Sequence, residues 1–178
     1  QLTSNTIVNV VSADRIRELP DQNAAESLGR LPGISVQRDA GEGQKIIVRG
    51  LTPKFNAITL NGVRIPSTDP LDRSVDLTMI SPDLLSAIEV FKALTPDKDA
   101  EAVGGTVKLT LRRAREGFHG DIRAQTGYNH HEREYGQYKA SVNLGTRVFD
   151  NAMGVVVSLS SQRANRSADI LTADYLFK

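Results

Sequence analysis

Two polar loops contain the side chains best suited to binding a ligand. Phe55 offers an aromatic face for stacking, and Arg64 and Arg73 offer positive charge, a combination that suits either a sugar or an anionic chelate. An alternative that the sequence leaves equally open is that Phe55 only anchors its own loop. The candidate binding residues are Lys54, Phe55, Asn56, Arg64, Asp69, Asp72 and Arg73.

Other polar clusters indicate structure rather than chemistry. Asp97, Asp99 and Glu101 resemble a calcium-binding loop only in part, because the Gly and the distal Glu of such a loop are absent, and a solvated loop is favoured. His130 and His131 could bind a metal, but adjacent histidines at a strand turn are more often simply exposed. The sequence has no nucleophile elbow. We therefore expect no enzyme activity, no metal site and no cofactor.

The composition excludes several classes of protein. The 178 residues carry 22 basic and 21 acidic side chains, so there is no electrostatic case for binding nucleic acid. The absence of Cys excludes disulfides, thiolate metal sites and a Cys nucleophile. No apolar run of about 18 residues predicts a transmembrane helix. Strands of a transmembrane barrel need only about 9 to 11 alternating residues and escape such a search.

The first part of the chain alternates helix and strand signals, which predicts a small mixed α/β domain. Ser12 is a candidate N-cap for a helix over residues 13–18, and Asp21 for one over residues 22–30. Asn61-Gly62 is a strong tight-turn signal, and Ser81-Pro82 predicts a helical start. Strands are predicted over residues 7–11, 34–37, 45–51, 57–60, 87–93 and 106–112.

The last part of the chain shows three long strands with alternating faces, over residues 119–129, 135–148 and 152–162. A short turn at Asp150-Asn151 joins the second to the third. Each strand is about as long as a tilted membrane crossing requires. A soluble antiparallel meander is the alternative. The smooth apolar faces with Tyr near the strand ends, and the charges in the middle of the polar faces, favour a barrel wall.

Five motifs, in order and spacing, resemble the plug domain of TonB-dependent outer-membrane receptors. One contains IIVRGL and another ITLNGVRIP, and the last is a small-Gly-Gly segment that closes the plug. One departure is that residues 93–97 replace a common Gly-Pro, a variant that also occurs in receptors considered for sugar uptake. The motifs cover residues 9–36, 46–51, 58–66, 88–94 and 102–107.

The resemblance implies the fold class and the domain organisation. We expect an α+β plug domain, a small mixed sheet with short helices, over residues 1–114. Residues 115–178 would then be the first antiparallel transmembrane β-barrel strands. Barrels of this family have about 22 strands, so this barrel is incomplete and we expect the chain to be a piece of a longer one. The TonB box, the segment that couples to TonB, is expected upstream.

The resemblance also implies function and partners. The expected protein is an active-transport receptor of the Gram-negative outer membrane, with its plug inside the barrel on the periplasmic side. It would bind an external carbohydrate, oligosaccharide or iron chelate, and TonB would rearrange the plug to let the ligand pass. The alternatives are a non-transporting or signalling subunit and a soluble α/β binding protein. Expected partners are TonB, the rest of the barrel, outer-membrane lipid, the ligand, and a surface lipoprotein or larger complex, but no nucleic acid.

Six residues are expected to have structural roles between plug and barrel. Arg49 lies within a predicted strand, and the resemblance implies that it pairs with barrel carboxylates, where an Arg would bind in bidentate geometry. The alternative is a solvated Arg on a free plug. The six residues are Arg49, Gly50, Asn61, Gly62, Gly104 and Gly105.

Overall fold

The computed structural model describes residues 8–18, 21, 23–67, 71–92, 101–129 and 134–165. A five-stranded mixed sheet, a two-stranded hairpin and two short helices precede a three-stranded antiparallel sheet. The expected fold class is therefore confirmed: an α+β plug is followed by antiparallel strands that do not close a barrel. Within the described part of the chain, neither α-helix has the length and apolarity needed to cross a membrane.

The elements alternate as the sequence predicts, and most boundaries agree within a few residues. Two 3-10 turns, Pro53–Phe55 and Pro82–Leu84, precede strands. The helices are α1 (Ala13–Arg17) and α2 (Ala24–Gly29). The strands are β1 (Val8–Ser12), β2 (Ile34–Asp39), β3 (Glu42–Val48), β4 (Asn56–Leu60), β5 (Val63–Arg64), β6 (Leu85–Phe91), β7 (Gly105–Leu111), β8 (His119–Asn129), β9 (Glu134–Val148) and β10 (Met153–Arg163).

The five-stranded sheet has the order β1-β6-β7-β4-β5 and supplies most of the core. Strand β4 runs parallel to β7, whereas the other neighbouring pairs are antiparallel. Alternate side chains of the central strands, such as Ile88 and Leu109, are fully buried, and α2 packs Leu28 into the same cluster. Truncating such a residue to Ala costs about 2 to 5 kcal/mol.

The N-cap of α2 is Asn23, so the prediction that Asp21 caps this helix is wrong. Asn23 Oδ1 accepts from the amide of Glu26 at 3.2 Å, and Asn23 Nδ2 donates to the carbonyl of Gly43 at 2.8 Å. Asp21 instead accepts from the side chains of Ser27 and Arg30. The helix begins two residues later than predicted because the buried amide both caps it and attaches it to the β2–β3 hairpin.

The tight turn at Asn61-Gly62 is confirmed. The φ angles of these two residues are 50° and 88°, the left-handed values that a type I′ turn requires. Asn61 Oδ1 accepts from the amide of Leu111 at 2.9 Å. The turn is therefore attached to the end of β7, next to the point where the chain leaves the plug.

The three-stranded sheet has the order β10-β9-β8 and matches the predicted strands within a residue. Its apolar side chains, such as Ile122 and Leu159, are exposed, whereas Ser141 and Asn143 on the opposite face are buried against the plug. A four-residue turn, residues 149–152, joins β9 to β10, and within it Ala152 N donates to Phe149 O at 2.9 Å. The polar face therefore points towards the plug and the apolar face points away from it.

Candidate functional site

A cavity of about 340 Å³ lies where β4 and β7 begin. Its polar lining comes from Asn56, Arg64, Ser67, Arg73 and Glu101. The parallel strands β4 and β7 both start at this end of the sheet, and β7 continues at its other end towards β8. The cavity is therefore at the opposite end of the plug from the connection to the three-stranded sheet.

Glu101 brings the two candidate arginines together. Its Oε2 lies 3.5 Å from Arg64 Nη1 and 3.2 Å from Arg73 Nη1. The sequence favoured a solvated role for Glu101, but its carboxylate is paired. All three side chains remain substantially exposed, so each ion pair is worth about 0.2 to 1 kcal/mol.

Asn56 forms a fixed part of the cavity wall. Its side chain is buried, and its Nδ2 donates to the carbonyl of Ile46 at 2.9 Å. Gly104 approaches the other side of this amide so closely that a Cβ on Gly104 would lie 2.2 Å from Asn56 Oδ1. The Gly at this position is required by close packing, and Asn56 has little freedom to follow a ligand.

Lys54, Phe55 and Asp72, the remaining candidates that the structure describes, do not line the cavity. Lys54 Nζ lies 5.2 Å from the centroid of the Phe55 ring, a cation–π distance, so these two residues contact each other. Asp72 faces β3, where Lys45 Nζ donates to it at 2.9 Å. Bonds from Lys45 and from Ser74 lower the pKa of Asp72 to about 2. Asp69 lies outside the described residues, as do the histidines at 130 and 131.

Of the three acidic residues in the candidate calcium loop, the structure describes Glu101. Asp97 and Asp99 lie outside the described residues. Among the residues that the structure does describe, there is no group of three or more His, Cys, Asp or Glu that could hold a metal ion.

Arg49 follows β3 instead of lying within it, so the predicted strand over residues 45–51 is too long. The φ angle of Arg49 is 54°, a left-handed value that ends the strand. Its guanidinium donates to the carbonyls of Val103 and Gly104 at 2.8 and 3.2 Å. Arg49 therefore attaches β3 to the segment that opens β7. Pairing with carboxylates of further barrel strands stays a prediction.

A buried ion cluster connects the plug to the three-stranded sheet, and none of its members was predicted to have a role. Asp83 is 3% exposed. Its Oδ1 accepts from Arg123 Nη1 at 2.9 Å, and its Oδ2 forms an ion pair with Lys139 Nζ at 3.4 Å. Lys139 also donates to the backbone carbonyl of Asp21 at 2.8 Å. We call Asp83, Arg123 and Lys139 the junction cluster.

A second contact supports the same junction near the start of β8. Arg112 Nη1 donates to Asp121 Oδ1 at 3.0 Å, and Asn143 Nδ2 donates to Asp121 Oδ2 at 3.0 Å. The sequence did indicate that the junction cluster and this second contact exist, because charges in the middle of strand faces need buried partners. The partners themselves are 40 and 56 residues away from Asp83, which a local pattern does not reveal.

The sequence model of one family, the TonB-dependent Receptor Plug Domain, matches residues 1–106. The chain belongs to this family. The resemblance of the five motifs is thereby confirmed, and the described mixed sheet with its short helices is the structure of this plug domain. The position of the boundary at residue 114 stays a prediction.

Curated relatives and solved structures agree with this assignment. The chain is 22% identical over 152 residues to the ferrienterobactin receptor of Escherichia coli K12, covering 77% of this chain and 20% of that protein. It is 30% identical over 107 residues to the vitamin B12 transporter BtuB of Photobacterium profundum, covering 57% of this chain and 17% of that protein.

The fold is also similar to that of larger receptors of known structure. The siderophore receptor PirA of Acinetobacter baumannii superposes with a TM-score of 0.72 at 18% identity, over 87% of this chain and 24% of PirA. The ferric enterobactin receptor PfeA superposes with a TM-score of 0.70 at 17% identity, over 93% of this chain and 26% of PfeA. The chain thus spans about a quarter or less of these relatives.

Proposed function

We propose that this plug belongs to a TonB-dependent receptor that takes up an anionic iron chelate across the Gram-negative outer membrane. The observation that supports this most directly is the paired Arg64 and Arg73 beside a cavity at the far end of a plug domain. Two guanidinium groups suit multiple anionic oxygens. The names of the relatives include ferrienterobactin and siderophore receptors, and these chelates are the ligands that we propose to test first.

The carbohydrate that the sequence left open receives no support from these relatives, whose names refer to siderophores or vitamin B12. The two arginines of the cavity also favour an anionic ligand over a neutral sugar. A neutral sugar would add no negative charge beside the two guanidinium groups that share Glu101. We therefore propose an iron chelate rather than an oligosaccharide.

The outer membrane is the proposed location, and the three-stranded sheet would face its lipid. Strand β8 has 11 residues, about 33 Å of extended chain and about 25 Å of membrane depth at the tilt of outer-membrane strands. Aromatic residues mark both ends. Phe118 and Phe149 are exposed at one end, and Tyr128 contacts Tyr135 at the other, with ring centroids 4.5 Å apart. Such positions suit the two aromatic girdles.

Adjacent substitutions in β10 test this orientation. Val157→Arg places a charge on the proposed lipid face and should destabilise the inserted barrel by about 2 to 4 kcal/mol. Ser158→Arg, on the opposite face of the strand, is the matched control and should insert with a smaller loss. Heat-modifiable gel mobility of the full-length protein in outer-membrane fractions would measure the folded fraction. Equal effects of the two variants would contradict the proposed lipid-facing side.

Uptake by cells tests the transport proposal. The full-length protein is expressed in a strain that lacks its own enterobactin receptor, and uptake of iron-55 as ferric enterobactin is measured. We expect uptake that disappears in a strain without TonB. A receptor that is inserted in the outer membrane but imports neither ferric enterobactin nor other anionic ferric chelates would overturn the proposal. Ligand binding without uptake would instead favour the signalling or non-transporting subunit.

A further inference from the structure

Glu101 occupies the position between Arg64 and Arg73 that an anionic group of a ligand would take. Both arginines contact the same carboxylate oxygen, although they come from β5 and from the loop that follows it. Two guanidinium groups this close repel each other unless an anion lies between them. Glu101 supplies one negative charge between the two arginines.

The ion pairs of Glu101 with the two arginines are weak enough for an anionic ligand to replace them. The Arg73 side chain is 71% exposed and that of Glu101 is 55% exposed, so water screens the ion pairs and they are weak. The chain beyond Glu101 is held firmly: Ala102 is buried, and Arg49 binds the carbonyls of Val103 and Gly104. The Glu101 side chain can therefore leave the arginines without disturbing the start of β7.

We propose that Glu101 is a built-in competitor that sets a charge threshold for the ligand. A group with two negative charges neutralises both arginines and displaces Glu101. A group with one negative charge does no better than Glu101, which is already tethered in place, and a neutral group does worse. The receptor thereby selects multiply charged anionic chelates over singly charged ones. As a statement about ligand selection, this inference rests on the proposed function.

Binding of inorganic phosphate tests the competitor without requiring transport. The full-length receptor is titrated with phosphate in detergent at low ionic strength, and binding is measured by calorimetry. Glu101→Gln keeps the size of the side chain but removes its charge, and it should tighten phosphate binding by about threefold to tenfold, the scale of two exposed ion pairs. Adding Arg73→Gln to this variant should abolish the gain.

Glu89→Gln is the matched control. Glu89 pairs with Lys108 at 3.2 Å on neighbouring strands of the sheet, and it does not line the cavity. This variant makes the same change in net charge and should leave the phosphate affinity unchanged. If Glu101→Gln binds phosphate no more tightly than the unsubstituted receptor, or if Glu89→Gln gains as much, Glu101 is not a competitor.

A second measurement separates this inference from the proposed function. Affinities for anionic ferric enterobactin and for a neutral ferric hydroxamate are compared in the unsubstituted receptor and in Glu101→Gln. We expect the affinity for the anionic chelate to rise in the variant by about the factor seen for phosphate, and the affinity for the neutral chelate to stay unchanged, because only the anion gains from the arginines that Glu101 releases. An unchanged preference overturns the threshold, whereas failed uptake with a normal phosphate response overturns only the transport proposal.

Discussion

Neutralising Asp83 should loosen the attachment of the plug to the first barrel strands. Asp83→Asn keeps the shape of the side chain but leaves Arg123 and Lys139 beside each other without this counter-ion. Lys139 is 12% exposed and Asp83 is 5% exposed at their side chains, so the charges are poorly solvated. Removing one partner of a buried pair costs about 3 to 5 kcal/mol.

The expected cost is somewhat below that range. Arg123 retains 24% of its exposure and can turn towards water, and the Asn can still accept one hydrogen bond. We therefore expect a loss of about 2 to 4 kcal/mol. Part of this loss of stability should be measured at residues 21–30, because Lys139 also donates a hydrogen bond to the carbonyl of Asp21.

Hydrogen exchange of the full-length receptor measures this loss where it occurs. Amide protection of residues 21–30 and 81–85 gives the free energy of local opening. Asp14→Asn is the control, since Asp14 is an exposed acid on α1. Protection that changes by less than about 0.5 kcal/mol, the usual range of surface substitutions, would refute the assignment of a stabilising junction.

A double-mutant cycle separates pairing from general damage. Asp83→Asn and Arg123→Gln are measured singly and together. A direct ion pair predicts a coupling of about 0.5 to 3 kcal/mol, so that the double variant loses less than the sum of the single variants. Additive losses would show that the two residues act independently.

Three further predictions concern residues of the plug domain, and each is measured by urea unfolding. Asn23→Ala should cost about 1 to 3 kcal/mol, because it removes the cap of α2 and leaves the buried carbonyl of Gly43 without its donor. Gly104→Ala should destabilise the plug, since the new Cβ would lie 2.2 Å from Oδ1 of the buried Asn56 side chain. The pKa of Asp72 is lowered from 3.8 to about 2, so its stabilising contribution is complete above pH 3.8 and is lost as the pH falls towards 2. Asp72→Asn should remove this part of the pH dependence, and an identical pH profile would contradict it.

The elements were predictable where one local pattern determined them. Strand β8 has the predicted bounds because its alternating faces leave only one register that buries the polar side against the plug. The Asn61-Gly62 turn followed from the left-handed conformation that these residues accept readily. By contrast, the start of α2 was misplaced because Asp21 and Asn23 are both good caps, and only the contact of Asn23 with Gly43 decides between them.

The candidate site was predictable in its residue types but not in its pairings. Arg64 and Arg73 were identified from their loop, yet their contact with Glu101 depends on β5 and β7 lying on either side of β4 in the sheet. The junction cluster was missed for the same reason. A charge on a strand face indicates that a partner is needed. Which residue is the partner depends on how the three-stranded sheet packs against the plug domain.

The turn between β9 and β10 determines which side chains of β10 face outwards. Phe149, Asp150 and Asn151 have left-handed φ angles of 55°, 50° and 67°, although none of them is Gly. Asp and Asn tolerate this conformation better than other side chains, and the reversal of the chain takes place within residues 149–152. One additional residue in this turn would move Val157 to the inner face and Ser158 to the outer one. The length of this four-residue turn thus decides whether the third strand presents hydrocarbon or hydroxyl groups to its surroundings.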